Sequence, residues 1–187
     1  MRKLNSTKHV ISVLTVALFI FLALASGDDK KDKSGSSAST ATDAPKAPDN
    51  WTYSSDTDKM TSKVVYYAET PAKDGLKLKF PYEGSTGYLS LVNRSGKPNV
   101  VIGVSKGQIL AANAIDGGHI LVRFDEDPAE KYSVVGASDG STETVFINNE
   151  DKFLKRLKTS KKLLVEIEFY DNGSQQMEFN TSNLVWN

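Results

Sequence analysis

Residues 163–169 read Leu-Leu-Val-Glu-Ile-Glu-Phe, and this stretch decides the fold class. From Leu163 to Phe169 every second residue is apolar, and Glu166 and Glu168 stand between the apolar positions. Successive side chains of a strand point to opposite faces, so a period of two places one face in a core and the other in water. The stretch therefore predicts a half-buried β-strand.

Similar strand signals recur through the C-terminal three quarters of the chain. Besides 163–169, the predicted strands cover residues 64–69, 76–80, 88–92, 100–104, 120–124, 131–135, 142–147 and 177–179. Asn172-Gly173 separates the last two strands, and this dipeptide is typical of a tight hairpin in which both residues have positive φ. Other turns are predicted at 84–87, 95–98, 116–118 and 136–141.

One short helix is predicted after the seventh of these turn-bounded strand regions. Asn148 or Asn149 can cap its first turn, which carries two acidic residues, and lysines crowd its end. Acidic residues at the start and basic residues at the end complement the helix dipole. Its apolar stripe is Phe153, Leu154 and Leu157.

Roughly nine short strands and one short helix are typical of a mainly β protein. We predict an antiparallel β-sandwich or flattened barrel with one short α-helix, formed by residues 50–187.

The N-terminus has the features of a cleavable export signal over residues 1–25. Three basic residues lie within the first eight, residues 10–24 are almost entirely apolar, and residues 23–25 read Ala-Leu-Ala. A positive start, a short apolar run and a small-x-small site form the secretory signature. The apolar run is shorter than the roughly 20 residues that span a bilayer. We expect a signal peptide that is cleaved after Ala25, with an uncleaved membrane anchor as the alternative.

Residues 26–49 form a polar segment without aromatic residues or aliphatic residues larger than alanine. Such a composition buries too little apolar surface to offset the entropy of ordering. We therefore expect a disordered polar linker between the signal and the domain.

The charge balance and the absence of cysteine restrict the possible partners. Removal of residues 1–25 leaves 20 basic and 23 acidic residues, a net charge of −3, which favours neither nucleic acid nor anionic lipid. Without cysteine the chain forms no disulfide and carries no lipid on cysteine. We expect a periplasmic or secreted protein that meets the membrane only transiently, through its signal segment, unless that segment stays uncleaved.

One stretch has the letters of a hydrolase motif. Residues 136–140 read Gly-Ala-Ser-Asp-Gly, which fits the G-x-S-x-G pattern around a nucleophilic serine. That motif needs a strand that turns into a helix, but residues 141–147 favour a strand. His119 is the only histidine after the signal and precedes Ser138, so a triad would need a different chain order. We predict a hairpin loop here and keep a hydrolase using Ser138 as an alternative.

The acidic residues offer the remaining candidates for chemistry. Asp125–Asp127 and the pair Asp56 and Asp58 are possible calcium ligands or general acids, but neither matches a calcium-binding loop. We expect a solvated acidic turn at Asp125–Asp127. A zinc site of nitrogen and sulfur ligands is ruled out because only one histidine follows the predicted signal and the chain has no cysteine. We predict no metal and no cofactor, and an Asp/Glu pair stays open as the second version of the hydrolase alternative.

Tyrosine is frequent in the predicted sheet. Tyrosine suits surfaces where one end of the ring is buried and the other is wet, including binding faces. Tyr66, Tyr82 and Tyr88 are the candidate binding residues, and ordinary sheet packing is the alternative explanation.

A series of short motifs runs through the domain: Trp51-x-Tyr53, Asp58-Lys59-Met60-Thr61, Phe80-Pro81-Tyr82, Gly107-Gln108, Val122-Arg123-Phe124-Asp125, Phe153-Leu154, Lys162-Leu163, Phe169-Tyr170, Phe179 and Leu184-Val185-Trp186. This series resembles a pattern of small exported bacterial β-sandwich proteins, many of them lipoproteins of unassigned function. More distantly, the order of the motifs resembles TagO-type accessory proteins of type VI secretion systems.

The chain departs from these families at two places. Such relatives often have a cysteine pair around residues 107–122 and a lipobox cysteine, whereas this chain has Ala112, Gly118 and the sequence Ala25-Ser26-Gly27. The disulfide and the lipid anchor that the resemblance implies are therefore missing, and the resemblance implies no catalytic residues.

These observations favour an exported non-enzymatic module that binds a protein or an envelope component. The alternatives are an accessory protein of type VI secretion and a hydrolase using Ser138 or an Asp/Glu pair.

Overall fold

The computed structural model describes residues 50–113 and 118–186. The predicted signal peptide at 1–25, the linker at 26–49 and the first two residues of the predicted turn at 116–118 lie outside these residues. Nine strands lie within the described part: β1 (Thr52–Thr57), β2 (Val64–Gly75), β3 (Thr86–Arg94), β4 (Lys97–Val104), β5 (Gly118–Phe124), β6 (Glu130–Gly136), β7 (Thr144–Ile147), β8 (Lys162–Phe169) and β9 (Gly173–Asn180). A 3₁₀ helix (Leu110–Asn113) and one α-helix, α1 (Glu150–Leu157), complete this part of the chain.

All nine strands pair antiparallel in one sheet, in the order β1-β2-β3-β4-β7-β6-β5-β8-β9. Because this order is linear, the sheet is not closed into a barrel. Two connections skip neighbours: the segment with the 3₁₀ helix joins β4 to β5, and α1 joins β7 to β8. The fold is mainly β and antiparallel with one short helix, which confirms the predicted class.

Strands from both ends of the sheet contribute to one hydrophobic core. Ala68 of β2 and Phe179 of β9 belong to the same cluster of buried side chains. Gly87 of β3 faces the sulfur of Met177 on β9, where a Cβ would collide with it. The sheet therefore folds over on itself, and we call the side that carries these residues the core face.

The alternation read from the sequence matches the buried positions. Leu163, Val165, Ile167 and Phe169 are all buried, and the residues between them are half-buried or exposed. Removing a large apolar side chain from water contributes about 1.5–3 kcal/mol, so this face drives the strand into the core.

The predicted helix is also present, and its buried residues are Phe153, Leu154 and Leu157, as expected. Asn149 occupies the N-cap position, but it has a left-handed conformation (φ 61°) and its side chain caps no backbone N–H. The prediction of an asparagine side-chain cap at Asn149 is therefore wrong, because the chain turns sharply out of β7 at this point.

Residues 76–80 do not form the predicted strand. Leu76 and Leu78 are buried, but Phe80 is 83% exposed, and β2 ends at Gly75. The backbone N–H of Leu76 donates to the carbonyl of Ser85, and that of Lys79 donates to the Asn172 side chain. The apolar alternation is satisfied by a loop that folds back onto the core.

The hairpin between β8 and β9 is confirmed, but its turn differs from the prediction. Positive φ falls on Asp171 and Gly173, with Asn172 between them, and Phe169 pairs with Gly173 across a three-residue loop. The two-residue turn with positive φ at both positions instead lies between β3 and β4, at 95–96.

Candidate functional site

A groove with a volume of about 280 Å³ lies at the β1 end of the sheet. This volume is just below the range of about 300–1,000 Å³ that is typical of ligand sites. The groove is lined by Tyr53, Ser54, Tyr66, Tyr67, Asn93, Val185 and Trp186.

The strand register brings the floor of the groove together. Tyr66 pairs with Ser55 on β1 and with Asn93 on β3, while Tyr53 pairs with Ala68. Directly paired residues share a face of the sheet, and Ala68 is fully buried in the core. The part of the groove formed by Tyr53, Tyr66 and Asn93 therefore continues the core face to the point where it meets water.

The C-terminal tail forms the wall of the groove. The backbone N–H of Val185 donates to the hydroxyl oxygen of Tyr53 at 2.8 Å. Leu184 and Trp186 on either side pack against the core. The tail thus holds the Trp186 ring beside two tyrosines that remain 45% (Tyr53) and 54% (Tyr66) exposed.

The lining is aromatic and uncharged. None of its seven residues is Asp, Glu, Lys, Arg or His. The side-chain oxygen of Asn93 accepts the backbone N–H of Gly96 at 2.9 Å, so the orientation of this amide is set by the β3–β4 turn. The Asn93 amide nitrogen, the Tyr66 hydroxyl and the Trp186 indole N–H are hydrogen-bond donors carried by lining residues.

Of the three tyrosines singled out from the sequence, only Tyr66 lines this groove. Tyr88 is half-buried and lies on the face of β3 opposite to the face that carries Asn93. Its hydroxyl oxygen is 3.1 Å from that of Thr144. Tyr82 is half-buried and accepts a hydrogen bond from Gln108 at 2.9 Å. The three tyrosines therefore do not line one cavity.

Tyr53 and Trp186 were not among the candidate binding residues. They are 133 positions apart in the sequence. Only folding brings Tyr53, on the floor of the groove, close to Trp186, on its wall. The available signal was their place in the motifs at the two ends of the domain, which carry aromatic residues outside the predicted strands.

The hydrolase-like motif lies where a loop was predicted. Ser138 is exposed in the connection from β6 to β7, and a strand follows it. His119 is an exposed residue of β5 and pairs with Ser133. Within the described residues, no hydrogen bond joins Ser138 to His119.

The acidic turn after β5 is bound to neighbouring cations and N–H groups. Asp125 accepts two backbone N–H groups at 2.9 Å, from Lys162 and the residue before it. Glu126 pairs with the Lys162 ammonium at 2.7 Å, and Asp127 pairs with Arg156 at 2.8 Å. The turn lies at the surface as predicted, but its carboxylates fasten the β5–β6 connection to α1 and β8.

Glu130 extends this network along α1. Its carboxylate accepts Lys152 at 2.9 Å and also pairs with Arg156. The hydrogen bond from Lys152, with the charge of Arg156 beside it, holds the pKa of the Glu130 carboxyl below its ordinary value. The hydrogen bond from Lys162 lowers the pKa of Glu126 in the same way.

We expect these lowered pKa values to make the protein less stable in acid. A carboxyl whose folded pKa lies below its unfolded value stabilises the fold above the unfolded pKa. That contribution is lost as the pH falls through the folded pKa, which for Glu130 lies below the ordinary value of a glutamate carboxyl. Urea midpoints measured from pH 7 to below the Glu130 pKa should fall, and less steeply for Glu130→Gln. An identical slope for Glu130→Gln and the parent chain would contradict the ion-pair network.

No group of three His, Asp or Glu side chains converges as a metal site within residues 50–113 and 118–186. In the same residues, no helix has the length and apolar character needed to cross a bilayer.

No family model, curated protein or solved structure matches this chain. The resemblances to exported β-sandwich proteins and to secretion accessory proteins therefore stay predictions.

Proposed function

We propose that this chain is an exported, non-enzymatic binding module that recognises a protein or envelope component. It does so through the groove at the β1 end of the sheet, which we call the aromatic groove. The observation that carries the proposal is the convergence of the Tyr53, Tyr66 and Trp186 side chains in one concave surface. Folding places these rings together without burying the two tyrosines. Tyrosine and tryptophan at concave, partly wet sites are favoured where a ligand covers them.

Export is the second part of the proposal and rests on the N-terminal sequence. The basic start, the apolar run and the Ala-Leu-Ala site are all within residues 1–25. The chain has no cysteine, so its fold in the periplasm or the medium would not depend on a disulfide.

The hydrolase alternative has less support than binding. Ser138 has no histidine partner within the described residues, and the three carboxylates of the acidic turn are engaged by Arg156, Lys162 and backbone N–H groups. An accessory role in a secretion system is compatible with a binding module, but no separate feature of the described residues favours it.

Binding to envelope fragments tests the proposal. The full chain is expressed in a bacterium and recovered from the periplasm or the medium, where we expect its N-terminus at Ser26. Cosedimentation with isolated envelope fragments should saturate, and Trp186→Ala should weaken it by about tenfold or more, a loss of about 1.4 kcal/mol.

Tyr170→Ala is the matched control, because Tyr170 is 60% exposed and lies in the β8–β9 turn. It should bind like the parent chain. Binding that does not saturate, or that is equal in the parent and Trp186→Ala, would sink the proposal. Recovery of the chain in the cytosol with residues 1–25 intact would refute its export.

A further inference from the structure

We infer that the aromatic groove takes a neutral sugar unit of an envelope glycan. The inference rests on the proposed binding function and adds the chemical class of the ligand. Three properties of the groove carry it: its exposed rings, its lack of charge and its size.

The exposed rings suit the flat faces of a sugar. A pyranose ring presents C–H groups on its faces and hydroxyls around its rim. Tyr66 lies on the floor of the groove, and the C-terminal tail holds Trp186 beside it. A sugar face that stacks on these rings replaces water on surfaces that the fold leaves partly uncovered.

The lack of charge selects against anionic ligands. Phosphate or carboxylate ligands are recognised by arginine, lysine or clustered backbone N–H groups. None of these side chains lines the groove. Arg94, which follows Asn93 on β3, is paired with Asp58 at 3.3 Å. The donors that remain at the lining, including the Asn93 amide and the Tyr66 hydroxyl, match neutral sugar hydroxyls.

The size of the groove favours one sugar ring over an extended peptide. A volume of about 280 Å³ is small for a ligand site. Aromatic grooves also bind a second class of neutral ligand, proline-rich peptides. Such a peptide extends by about 3.1 Å per residue, so it needs a row of neighbouring grooves between aromatic residues. The depression on the other side of Trp186 does not continue such a row, because Asp151, Lys155 and Lys158 line it.

Calorimetric titration with neutral oligosaccharides tests the inference. The probes are the trimers of N-acetylglucosamine and of glucose, with a Pro-x-x-Pro peptide as the competing ligand class. We expect at least one trimer to bind and the peptide not to bind. Trp186→Ala should reduce the affinity by about tenfold or more, and Trp186→Phe, which keeps an aromatic face, should restore most of it.

One further variant, Asn93→Asp, tests hydrogen bonding separately from stacking. Asn93→Asp keeps an acceptor for the Gly96 N–H but removes the amide donor and adds a charge, so it should weaken binding of the trimer. Tyr170→Ala should bind like the parent. Binding should also change little when NaCl is raised from about 0.05 to about 0.5 M, because no ionic contact is involved. Far-ultraviolet circular dichroism and urea midpoints verify that each variant is folded.

The outcomes distinguish this inference from the proposed function. If neither trimer binds and neither competes with envelope fragments that still need Trp186, the sugar inference is overturned and the binding module stands. Binding of the peptide instead of the trimers would assign the groove to a protein partner and would also overturn it. If neither the probes nor the fragments depend on Trp186, both proposals fail.

Discussion

Phe124→Ala is expected to lower the free energy of unfolding by about 3–5 kcal/mol, because it opens a cavity where three aromatic rings meet. Phe124 is 2% exposed, and its ring centroid lies 5.2 Å from that of Phe153 and 6.3 Å from that of Tyr132, with edge-to-face geometry. The guanidinium of Arg156 lies 4.5 Å from the Phe124 ring. The truncation therefore removes the ring on which α1 is anchored to β5 and β6.

Urea denaturation at neutral pH measures this loss. Tyr170→Ala is the matched control, because it removes an aromatic side chain from an exposed turn and should change stability by less than about 0.5 kcal/mol. A loss below about 1 kcal/mol for Phe124→Ala would mean that β5 presents the opposite face to the core.

Gly136→Ala is expected to destabilise the protein by about 1–3 kcal/mol through overpacking. Gly136 ends β6, and a Cβ at this position would collide with the backbone carbonyl of Ala112 in the 3₁₀ helix. Gly118, at the start of β5, packs against the same 3₁₀ helix. A Cβ added at this position would lie 2.5 Å from the carbonyl oxygen of Ala111. Since both obstacles are backbone atoms, the 3₁₀ helix must shift as a whole.

Gly75→Ala is the matched control for this substitution. The nearest atom to a Cβ at Gly75 is the Ser85 carbonyl oxygen at 3.5 Å, which is an ordinary contact. Gly75→Ala should leave the urea midpoint unchanged or raise stability by up to about 1 kcal/mol, because alanine restricts the unfolded chain. Equal stability of Gly136→Ala and Gly75→Ala would contradict the packing of the 3₁₀ helix on β6.

Local patterns predicted most of the sheet. In β5 and β8 every second residue is buried and the residues between are half-buried or exposed, so a period of two marks both the strand and its buried face. β1 escaped prediction because its six residues, Thr52–Thr57, are all exposed and show no apolar alternation. It becomes a strand because β2 offers it a hydrogen-bonding edge.

Residues 76–80 show the opposite case, in which the pattern is present but the strand is absent. Leu76 and Leu78 supply apolar contacts to the core, and either a strand or a loop that folds inward satisfies that requirement. The side chain of Asn172, which accepts the Lys79 N–H at 2.7 Å, holds the loop in place. A partner 93 positions away is invisible to any local reading of the chain.

By itself, the sequence determined the fold class, the buried faces of β5 and β8 and the helix α1, because each of these depends on the spacing of neighbouring side chains. The tertiary structure alone decided the aromatic groove. Two contacts bring the ends of the domain together: the register of β1 on β2, and the hydrogen bond from the Val185 N–H to the Tyr53 hydroxyl. Only these contacts place Trp186 beside the two tyrosines of the groove, Tyr53 and Tyr66. Contacts between such distant residues depend on how the whole sheet folds over, and no local spacing encodes that geometry.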